Sequence, residues 1–346
     1  MPKRRNAPRI SDVARESGFS VATVSRALNP LTASAVSPEA RRAVEAAAEV
    51  LGYRPNEAAR SLRTNKSLIV GVVVPDIANP LFPRMVRGID DLLDDANYSS
   101  LLANSGGDPA KADKAIDRLL QRGADGLIIA TSNLEDRRPS VLFDSNFPVV
   151  LLNRRTYDTR VPSVTAAGSR GTAAALAQLV KDGHSGITVL AAPQHTSTGW
   201  ERLRDIEGAA AKRLGRTLPV VKATAVSESA GYEAIRDLLE SGDSVPTAIV
   251  AANDLLALGA IRAIRERNLR VPEDISVVGF NDMPFCDRMD PPLSTIGFDH
   301  YKMGAEAARM VMNMIAGDVK PKSIRIPTVW IPRASTAVCR DASSRV

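Results

Sequence analysis

From Leu68 onward the chain alternates short apolar runs with amphipathic helical patterns, and this alternation restricts the fold more than any other feature. Apolar runs separated by helical segments are typical of parallel strands with helices on both faces of a doubly wound sheet. The strand-like runs cover residues 69–74, 126–130, 149–152, 187–191, 248–252 and 276–280, with helical patterns such as 81–93, 109–122, 172–181 and 255–267 between them. The pattern is too long for one ordinary sheet domain. We therefore predict two lobes, with a ligand crevice beyond the carboxyl ends of the strands.

The excess positive charge of the chain lies entirely near its start. The net formal charge is +6; residues 1–66 hold 12 Lys and Arg against 6 Asp and Glu, whereas residues 67–346 hold 33 of each sign. A basic segment can neutralise DNA phosphates and release counterions. A solvated basic tail is the alternative, and the apolar spacing inside the segment argues against it.

Three short helical patterns follow one another within this basic segment. Gly18 ends the first pattern, Ser20 is a good N-cap for the second, and Gly52 ends the third. Two helices separated by a three-residue turn at 18–20 match the helix-turn-helix arrangement, in which the second helix lies in the major groove of DNA. A small three-helix unit of any function has the same pattern, so spacing alone leaves that alternative open.

Several other classes of protein find no support in the sequence. No apolar run approaches the length of a membrane span, and no apolar stretch follows the basic start, so we expect neither a membrane protein nor a signal peptide. Cys286 and Cys339 suit neither a disulfide framework nor a metal site, which favours a reduced, cytoplasmic protein without a metal or cofactor. Phosphate-loop, dinucleotide-binding and zinc-protease motifs are absent. A sugar-modifying enzyme and an exported small-molecule-binding protein are therefore the less favoured alternatives.

A long, ordered series of motifs in the basic segment carries a family resemblance. The motifs are ISDVA at 10–14, VATVSRALN at 21–29, VSPE at 36–39, LGYRPN at 51–56 and ARSLR at 59–63. They closely resemble the head of the LacI/GalR family of bacterial regulators, although the loop at 30–35 is about two residues longer than usual. The resemblance implies a helix-turn-helix domain over residues 1–55, a hinge helix and linker over 56–66, and a core over 67–346.

The resemblance also assigns DNA contacts to single residues. Val21, Ala22 and Arg26 match the positions that face base edges, and the fork of Arg26 can donate to both O6 and N7 of a guanine. Phosphate contacts set the register without reading the sequence. The positions that match such contacts are Ser20, Thr23, Ser25 and Asn29. Helix capping and surface polarity are the alternative explanation for these four, above all for Ser25.

The segment 56–62 matches the hinge helix of the family. It is too short to be a stable helix alone in water, so its ordering should depend on DNA and on the partner subunit. Leu62 matches the apolar wedge that enters the minor groove and kinks the site, and Arg63 follows it among the expected DNA contacts. A single recognition helix reads few bases, so we expect a homodimeric repressor on a pseudo-palindromic operator.

The resemblance continues through the core. Its motifs are PDIANPLF at 75–82, GADG at 123–126, ANDLLALG at 252–259, VPEDISVVGF at 271–280 and PPLST at 291–295. They imply a periplasmic-binding-protein-like domain with lobe 1 at about 67–166 and 296–326, and lobe 2 at about 167–295 and 327–346. The chain would cross between the lobes near Ala166, Thr295 and Pro327. The residues that match the effector pocket of the family are Phe82, Trp200, Arg202, Asn253 and Asn281.

The core departs from the family pattern at positions that bear on the effector. Ala167 and Asn281 stand where carboxylates are usual, Val226 replaces an aromatic residue and Asp205 replaces a glycine. The cleft therefore lacks two negative charges near Arg202, and an uncompensated buried arginine is costly. We expect the small-molecule effector to be anionic, such as a sugar phosphate or a carboxylate, rather than a neutral sugar. In the alternative, Asp205 pairs with Arg202 and the pocket is vestigial.

Overall fold

The computed structural model of the chain describes residues 8–28, 32–54, 66–241, 245–317 and 321–339. The chain divides into two compact units, Met1–Ser67 and Leu68–Val346, and each has a hydrophobic core of its own. The hinge helix predicted over 56–62 lies outside the described residues, as do Asn29, Leu62 and Arg63. The roles assigned to them therefore stay predictions.

In its described part, the first unit consists of short helices whose ends are set by local sequence. The helices are α1 (Ile10–Ser17), α2 (Val21–Ala27) and α3 (Pro38–Leu51), with a short 3₁₀ turn at Ala33–Ala35. Gly18 ends α1 at a φ of 74°, a left-handed conformation that glycine adopts without steric cost. Ser20 and Ser37 cap α2 and α3, because each hydroxyl oxygen accepts a hydrogen bond from the backbone N–H three residues later.

The three helices share one small core. Six of its side chains are fully or almost fully buried: Val13, Val24, Ala27, Val44, Ala47 and Ala48. All six come from helix faces that recur every three or four residues, as expected for amphipathic helices. The opposite face of α2 is consequently left to solvent.

The second unit alternates strands and helices along its whole length. In chain order the elements are β1 (Ile69–Val74), α4 (Leu81–Asp95), β2 (Ser99–Asn104), α5 (Pro109–Gln121), β3 (Gly126–Ile129), α6 (Arg138–Asp144), β4 (Val149–Leu152), β5 (Ser163–Ala167), α7 (Gly168–Lys181), β6 (Ile187–Ala191), α8 (Ser197–Leu214), β7 (Val220–Lys222), α9 (Glu228–Glu240), β8 (Ala248–Ala251), α10 (Asp254–Glu266), β9 (Ser276–Asn281), β10 (Ser294–Phe298), α11 (His300–Ile315) and β11 (Ile324–Ile331). The near-continuous apolar strands are buried because helices cover both faces of the sheets.

The strands form two sheets that share β11. In lobe 1 the order is β2-β1-β3-β4-β5-β11, and in lobe 2 it is β11-β10-β9-β8-β6-β7. Every neighbouring pair is parallel except β10 and β11. The fold class predicted from the sequence, a helical head and an α/β core of two doubly wound lobes, is confirmed.

The long strand β11 connects the lobes. Its residues Ile324–Pro327 pair with β5 of lobe 1, and the next four residues pair with β10 of lobe 2. At this junction the hydroxyl of Thr328 donates to the carbonyl oxygen of Ala167 at 2.7 Å and accepts from the N–H of Gly171 at 3.2 Å. The crossing of β11 is thereby tied to the crossing between β5 and α7.

In each lobe, one pair of helices packs backbone to backbone through glycines. In lobe 1, Gly88 of α4 and Gly304 of α11 lie at the contact, and in lobe 2 Gly231 of α9 and Gly259 of α10 do so. A Cβ atom on any of the four would meet backbone atoms of the partner helix at 2.5 Å or less. None of the helices in the described parts of the chain is long and apolar enough to cross a bilayer.

Candidate DNA-binding and effector sites

Helix α2 has one buried face and one exposed face. Val24 and Ala27 are buried in the core of the first unit, whereas Val21, Ala22 and Arg26 are exposed, Val21 at 46%. The three positions predicted to face base edges therefore lie on the side of α2 that the core leaves open. A helix with this exposed face can enter the major groove without disturbing its own packing.

The polar residues of α2 are held by local hydrogen bonds. The hydroxyls of Ser20 and Thr23 lie 2.9 Å apart, and Ser20 also caps the helix. Ser25 is half-buried. The Nε of Arg26 donates to the carbonyl oxygen of Ala22 at 3.3 Å, and within the described residues its two terminal nitrogens make no hydrogen bond. The fork of Arg26 is therefore available for the two acceptors of a guanine.

In the second unit, a cavity of about 450 Å³ lies between the lobes. Residues at or just beyond the carboxyl ends of β1, β2, β3 and β4 line it from lobe 1, and residues after β6 and β8 and at the end of β9 line it from lobe 2. Open parallel sheets bind ligands at this place, because the strand ends and the helix N-termini meet there. Phe82, Arg202, Asn253 and Asn281 all line the cavity, as does Val226.

Arg202 is the most buried charged group of this cleft and is 7% exposed. One terminal nitrogen donates to the carbonyl oxygen of Ala252 at 2.6 Å and the other to Oδ1 of Asn281 at 2.8 Å. Its guanidinium also lies 3.8 Å from the ring centre of Phe280. Burial lowers the pKa of Arg202 to about 10, which still leaves it charged at neutral pH.

Arg202 is therefore held by neutral groups and not by Asp205. The carboxylate of Asp205 lies instead against Gly168, and burial raises its pKa. Asn281 stands at the end of β9 with a φ of 123°, a strained conformation for a residue with a side chain. Such strain is commonest at ligand sites.

The other predicted effector residues differ in their contacts and in whether they line the cavity. Asn253 caps α10 by accepting the N–H of Leu256 at 2.8 Å, and Phe82 is buried at the start of α4 with its surface on the cavity. Trp200 does not line the cavity. Its ring packs beside the guanidinium groups of Arg155 and Arg204, at 5.9 and 4.9 Å from the ring centre.

The structure adds cleft residues that the sequence analysis did not name. Asn153 and Arg154 follow β4, and Ser105 follows β2; all three line the same cavity. Desolvation of its guanidinium lowers the pKa of Arg154 to about 10, and the guanidinium makes a long polar contact of 3.5 Å with the carbonyl oxygen of Thr131. Their position immediately after predicted strands was the available signal, since the carboxyl ends of parallel strands meet at one edge.

Two parts of the chain match known families of domain. Residues 9–56 match the family described as bacterial regulatory proteins, lacI family, and residues 176–336 match the periplasmic binding protein-like domain. The chain is 33% identical to the HTH-type transcriptional regulator RegA of Clostridium saccharobutylicum over an aligned region of 311 residues. This region is 89% of this chain and 93% of RegA. The chain belongs to the lacI family of bacterial regulatory proteins. The resemblance found in its motifs is thereby confirmed.

Other members of the lacI family resemble the chain over nearly its whole length. The ribose operon repressor of Bacillus subtilis (strain 168) is 33% identical over 330 residues, which is 94% of this chain and 98% of the repressor. The crystal structure of the lac repressor dimer bound to operator and the anti-inducer ONPF superposes with a TM-score of 0.85 at 30% identity, covering 96% of this chain and all of that one. These lacI-family relatives are named as regulators and not as enzymes.

Proposed function

We propose that this lacI-family protein is a transcriptional repressor that binds a pseudo-palindromic operator as a homodimer and responds to a small molecule bound between its lobes. The observation that carries the proposal is the exposed face of α2, where Val21, Ala22 and Arg26 stand together above a buried face. A short helix with an open arginine fork on one side and a packed core on the other is suited to reading bases.

The proposed division of work on α2 follows from its chemistry. Arg26 reads a guanine with two hydrogen bonds, and the apolar side chains of Val21 and Ala22 contact base edges such as a thymine methyl. Ser20, Thr23, Ser25 and Asn29 position the helix on the phosphates. Leu62 and Arg63 act at the minor groove, where an apolar wedge unstacks a base step and bends the site.

Dimerisation is proposed because two recognition helices double the number of bases that are read. The lac repressor superposes on 96% of this chain, and in its solved structure it is a dimer bound to operator. The proposed role is regulatory, in the cytoplasm where the operator is, and involves no catalytic step, metal or cofactor.

Control by an effector requires that the ligand favour one arrangement of the lobes over another. Phe82 belongs to lobe 1 and Arg202 to lobe 2, and both line the cavity, so a ligand that contacts both binds best at one separation of the lobes. Any such preference changes the population of the arrangement that binds DNA, and the coupling is reciprocal.

Selection of binding sites from random DNA by the full chain tests the proposal. We expect a motif of two half-sites related by two-fold symmetry, binding that weakens steeply with salt, and a particle of two 37.0 kDa chains in light scattering. A stable monomer that selects a single half-site would contradict the dimeric reading. DNA retention that is insensitive to salt would contradict DNA binding through phosphates.

A further inference from the structure

The interlobe cavity is lined by both negative and positive side chains, but only the negative ones are stabilised by donors of opposite polarity. Its charged residues are Asp76, Asp108, Arg154 and Arg202, with His195 as the remaining titratable group. Asp76 is exposed and accepts the backbone N–H of Ala78 at 2.9 Å. Asp108 caps α5, accepting two backbone N–H groups at 2.8 and 3.3 Å. Both carboxylates are thus stabilised by backbone N–H groups two or three residues further along the chain.

The two arginines have no hydrogen-bonded carboxylate among the described residues, although the charges of Asp254, Glu201 and Asp205 partly oppose the effect of burial on the pKa of Arg202. Among the described residues neither Arg154 nor Arg202 forms an ion pair; their polar contacts are the carbonyl oxygens of Thr131 and Ala252 and the amide oxygen of Asn281. The positive charge of Arg154 also acts on Arg202, because it lowers the pKa of Arg202 in addition to the larger effect of burial. Two like charges in one desolvated cleft favour a counter-charge from outside the chain.

Three carboxylates act on the pKa of Arg202 without forming an ion pair with it: Asp205 lies against Gly168, and Glu201 and Asp254 have other partners. Glu201 pairs with Arg155 at 2.6 Å and with Arg325 at 3.0 Å. Asp254 is fully buried, accepts the hydroxyl of Thr295 at 2.6 Å and also accepts the N–H of Met283. Turning to Arg202 would cost Glu201 two ion pairs, and it would leave the buried hydroxyl of Thr295 and the N–H of Met283 without their acceptor, Asp254.

Two further observations favour the binding of a polar, negatively charged group in the same cavity. Oγ of Ser105 and Oδ1 of Asn153 are buried without a hydrogen-bond partner among the described residues, and these side chains are only 1% and 7% exposed. Helices α4, α5, α8 and α10 all begin at the cavity wall, so the positive ends of their dipoles meet there. Buried polar atoms in proteins usually form hydrogen bonds, so Ser105 and Asn153 are suited to bond a polar ligand in this cavity.

We propose that the effector of this protein is a phosphate monoester whose phosphoryl group is bound by Arg154 and Arg202 together. The proposal rests on the cleft being the effector site and goes further by naming the class of ligand. A phosphate monoester carries a charge of about −1.5 to −2 at pH 7, so it can neutralise the charges of both arginines. A carboxylate can neutralise one of these charges, and a neutral sugar can neutralise neither.

The two arginines have different parts in this binding. Arg202 is oriented by Ala252, Asn281 and the ring of Phe280, so it presents a fixed fork. Within the part of the chain that the structure describes, the side chain of Arg154 makes one long contact, with Thr131, so it can turn onto the phosphoryl oxygens. A second cavity of about 460 Å³ adjoins the first and leaves room for the rest of the ligand.

Titration calorimetry on the full chain tests the inference, with inorganic phosphate as the probe because it contains the recognised group and nothing else. At constant ionic strength we expect one phosphate per chain, with affinity lowered at least tenfold by Arg154→Gln and much less by Arg154→Lys. Arg170→Gln is the matched control, because Arg170 is an exposed arginine of α7 that does not line the cavity. It should bind phosphate as the unchanged protein does.

A second comparison uses glucose 6-phosphate, gluconate and glucose, and we expect affinity to fall in that order. Removal of an uncompensated charge should also raise the melting temperature of Arg154→Gln in phosphate-free buffer, which separates loss of binding from loss of folding. Phosphate binding that survives Arg154→Gln, or glucose binding as tightly as its phosphate, would overturn the inference.

Operator selection with the same preparations separates this inference from the proposed function. If the protein selects a two-fold symmetric motif but does not bind phosphate, the proposed repressor function is supported and the phosphate-ester effector is refuted. If the protein binds phosphate but selects no two-fold symmetric motif, the phosphate site is supported and the dimeric repressor is refuted.

Discussion

The contact between α4 and α11 makes a sharp prediction, because it depends on the absence of a single atom. A Cβ atom on Gly304 would lie 1.9 Å from the carbonyl oxygen of Met85, and one on Gly88 would lie 2.2 Å from that of Tyr301. Both obstacles are backbone carbonyl oxygens, in the second turn of α4 and the first turn of α11, so no side chain can move aside. Gly304→Ala must therefore push the two helices apart.

The magnitude follows from two opposing effects. Overpacking of a well-packed core costs typically about 1–3 kcal/mol, and a clash with backbone belongs at the upper end of that range. Replacing glycine by alanine inside a helix gains roughly 0.5–1 kcal/mol, chiefly by restricting the unfolded chain. We therefore expect Gly304→Ala to lower the free energy of unfolding by about 2 kcal/mol.

Gly208→Ala is the matched control for this prediction. Gly208 lies in α8, and a Cβ built on it would meet nothing within 4 Å. Here only the gain remains, so the same chemical change should raise stability by roughly 0.5–1 kcal/mol. The two variants then differ in sign.

Urea unfolding and thermal melting of the full chain measure the effect. One kcal/mol shifts the melting temperature of a domain of 150–250 residues by about 2–4 °C, so Gly304→Ala should melt roughly 4–8 °C below the unchanged protein. Gly208→Ala should melt slightly above it. A Gly304→Ala protein that melts at or above the unchanged temperature would refute the close approach of α4 and α11.

Two further predictions concern DNA reading and pH. Arg26→Ala should change the selected base at one position of each half-site and cost about 1–3 kcal/mol against the preferred base, whereas Thr23→Ala should weaken all sites alike. Arg42→Ala, a control at an exposed arginine of α3, should leave the motif unaltered; an unaltered motif for Arg26→Ala would count against its assignment. Burial lowers the pKa of His184 and His300 below 6.5, so the unfolded chain binds more protons and stability is lost as pH falls through the window below 6.5. In urea titrations at pH 7.5 and 5.5, replacing both by glutamine should reduce this loss, and an undiminished loss would argue against the two histidines as its source.

The head could be predicted from the sequence because its signals are local. Ser20 and Ser37 cap helices whose N–H groups are three residues away, and Gly18 and Gly52 end helices in conformations that glycine adopts at no steric cost. The apolar spacing then determines which face of each helix is buried. Capping, turn and periodicity all act within four residues, so a reader of the sequence sees every partner.

The alternation of the core was equally legible, but its irregular strands were not. The predicted run 69–74 is β1 itself, and the helical pattern 109–122 differs from α5 by one residue. Strands β2, β5, β7, β10 and β11 were not among the predicted runs. Strands β2 and β7 are half-exposed edge strands, β5 and β10 lie where the chain crosses between the lobes, and β11 carries Pro327 at the point where it changes partners. Edge strands lack a continuous apolar run, and a proline within a run argues against a central strand.

The sequence by itself determined the family, the fold class and the residue types available to each site, because motifs, caps and apolar periodicity are local properties. Only the tertiary structure decided which partner each cleft residue takes. Arg202 bonds Ala252 and Asn281, 50 and 79 residues away, and not Asp205, one helical turn along α8. The position of Arg154 just after a predicted strand placed it at the ligand edge of the sheet, but only the structure shows that it lines the same cavity as Arg202. A buried guanidinium takes the acceptors that packing leaves within about 3 Å. For Arg202 these acceptors follow β8 and end β9 of its own lobe, and only the folding of that lobe brings them beside the start of α8.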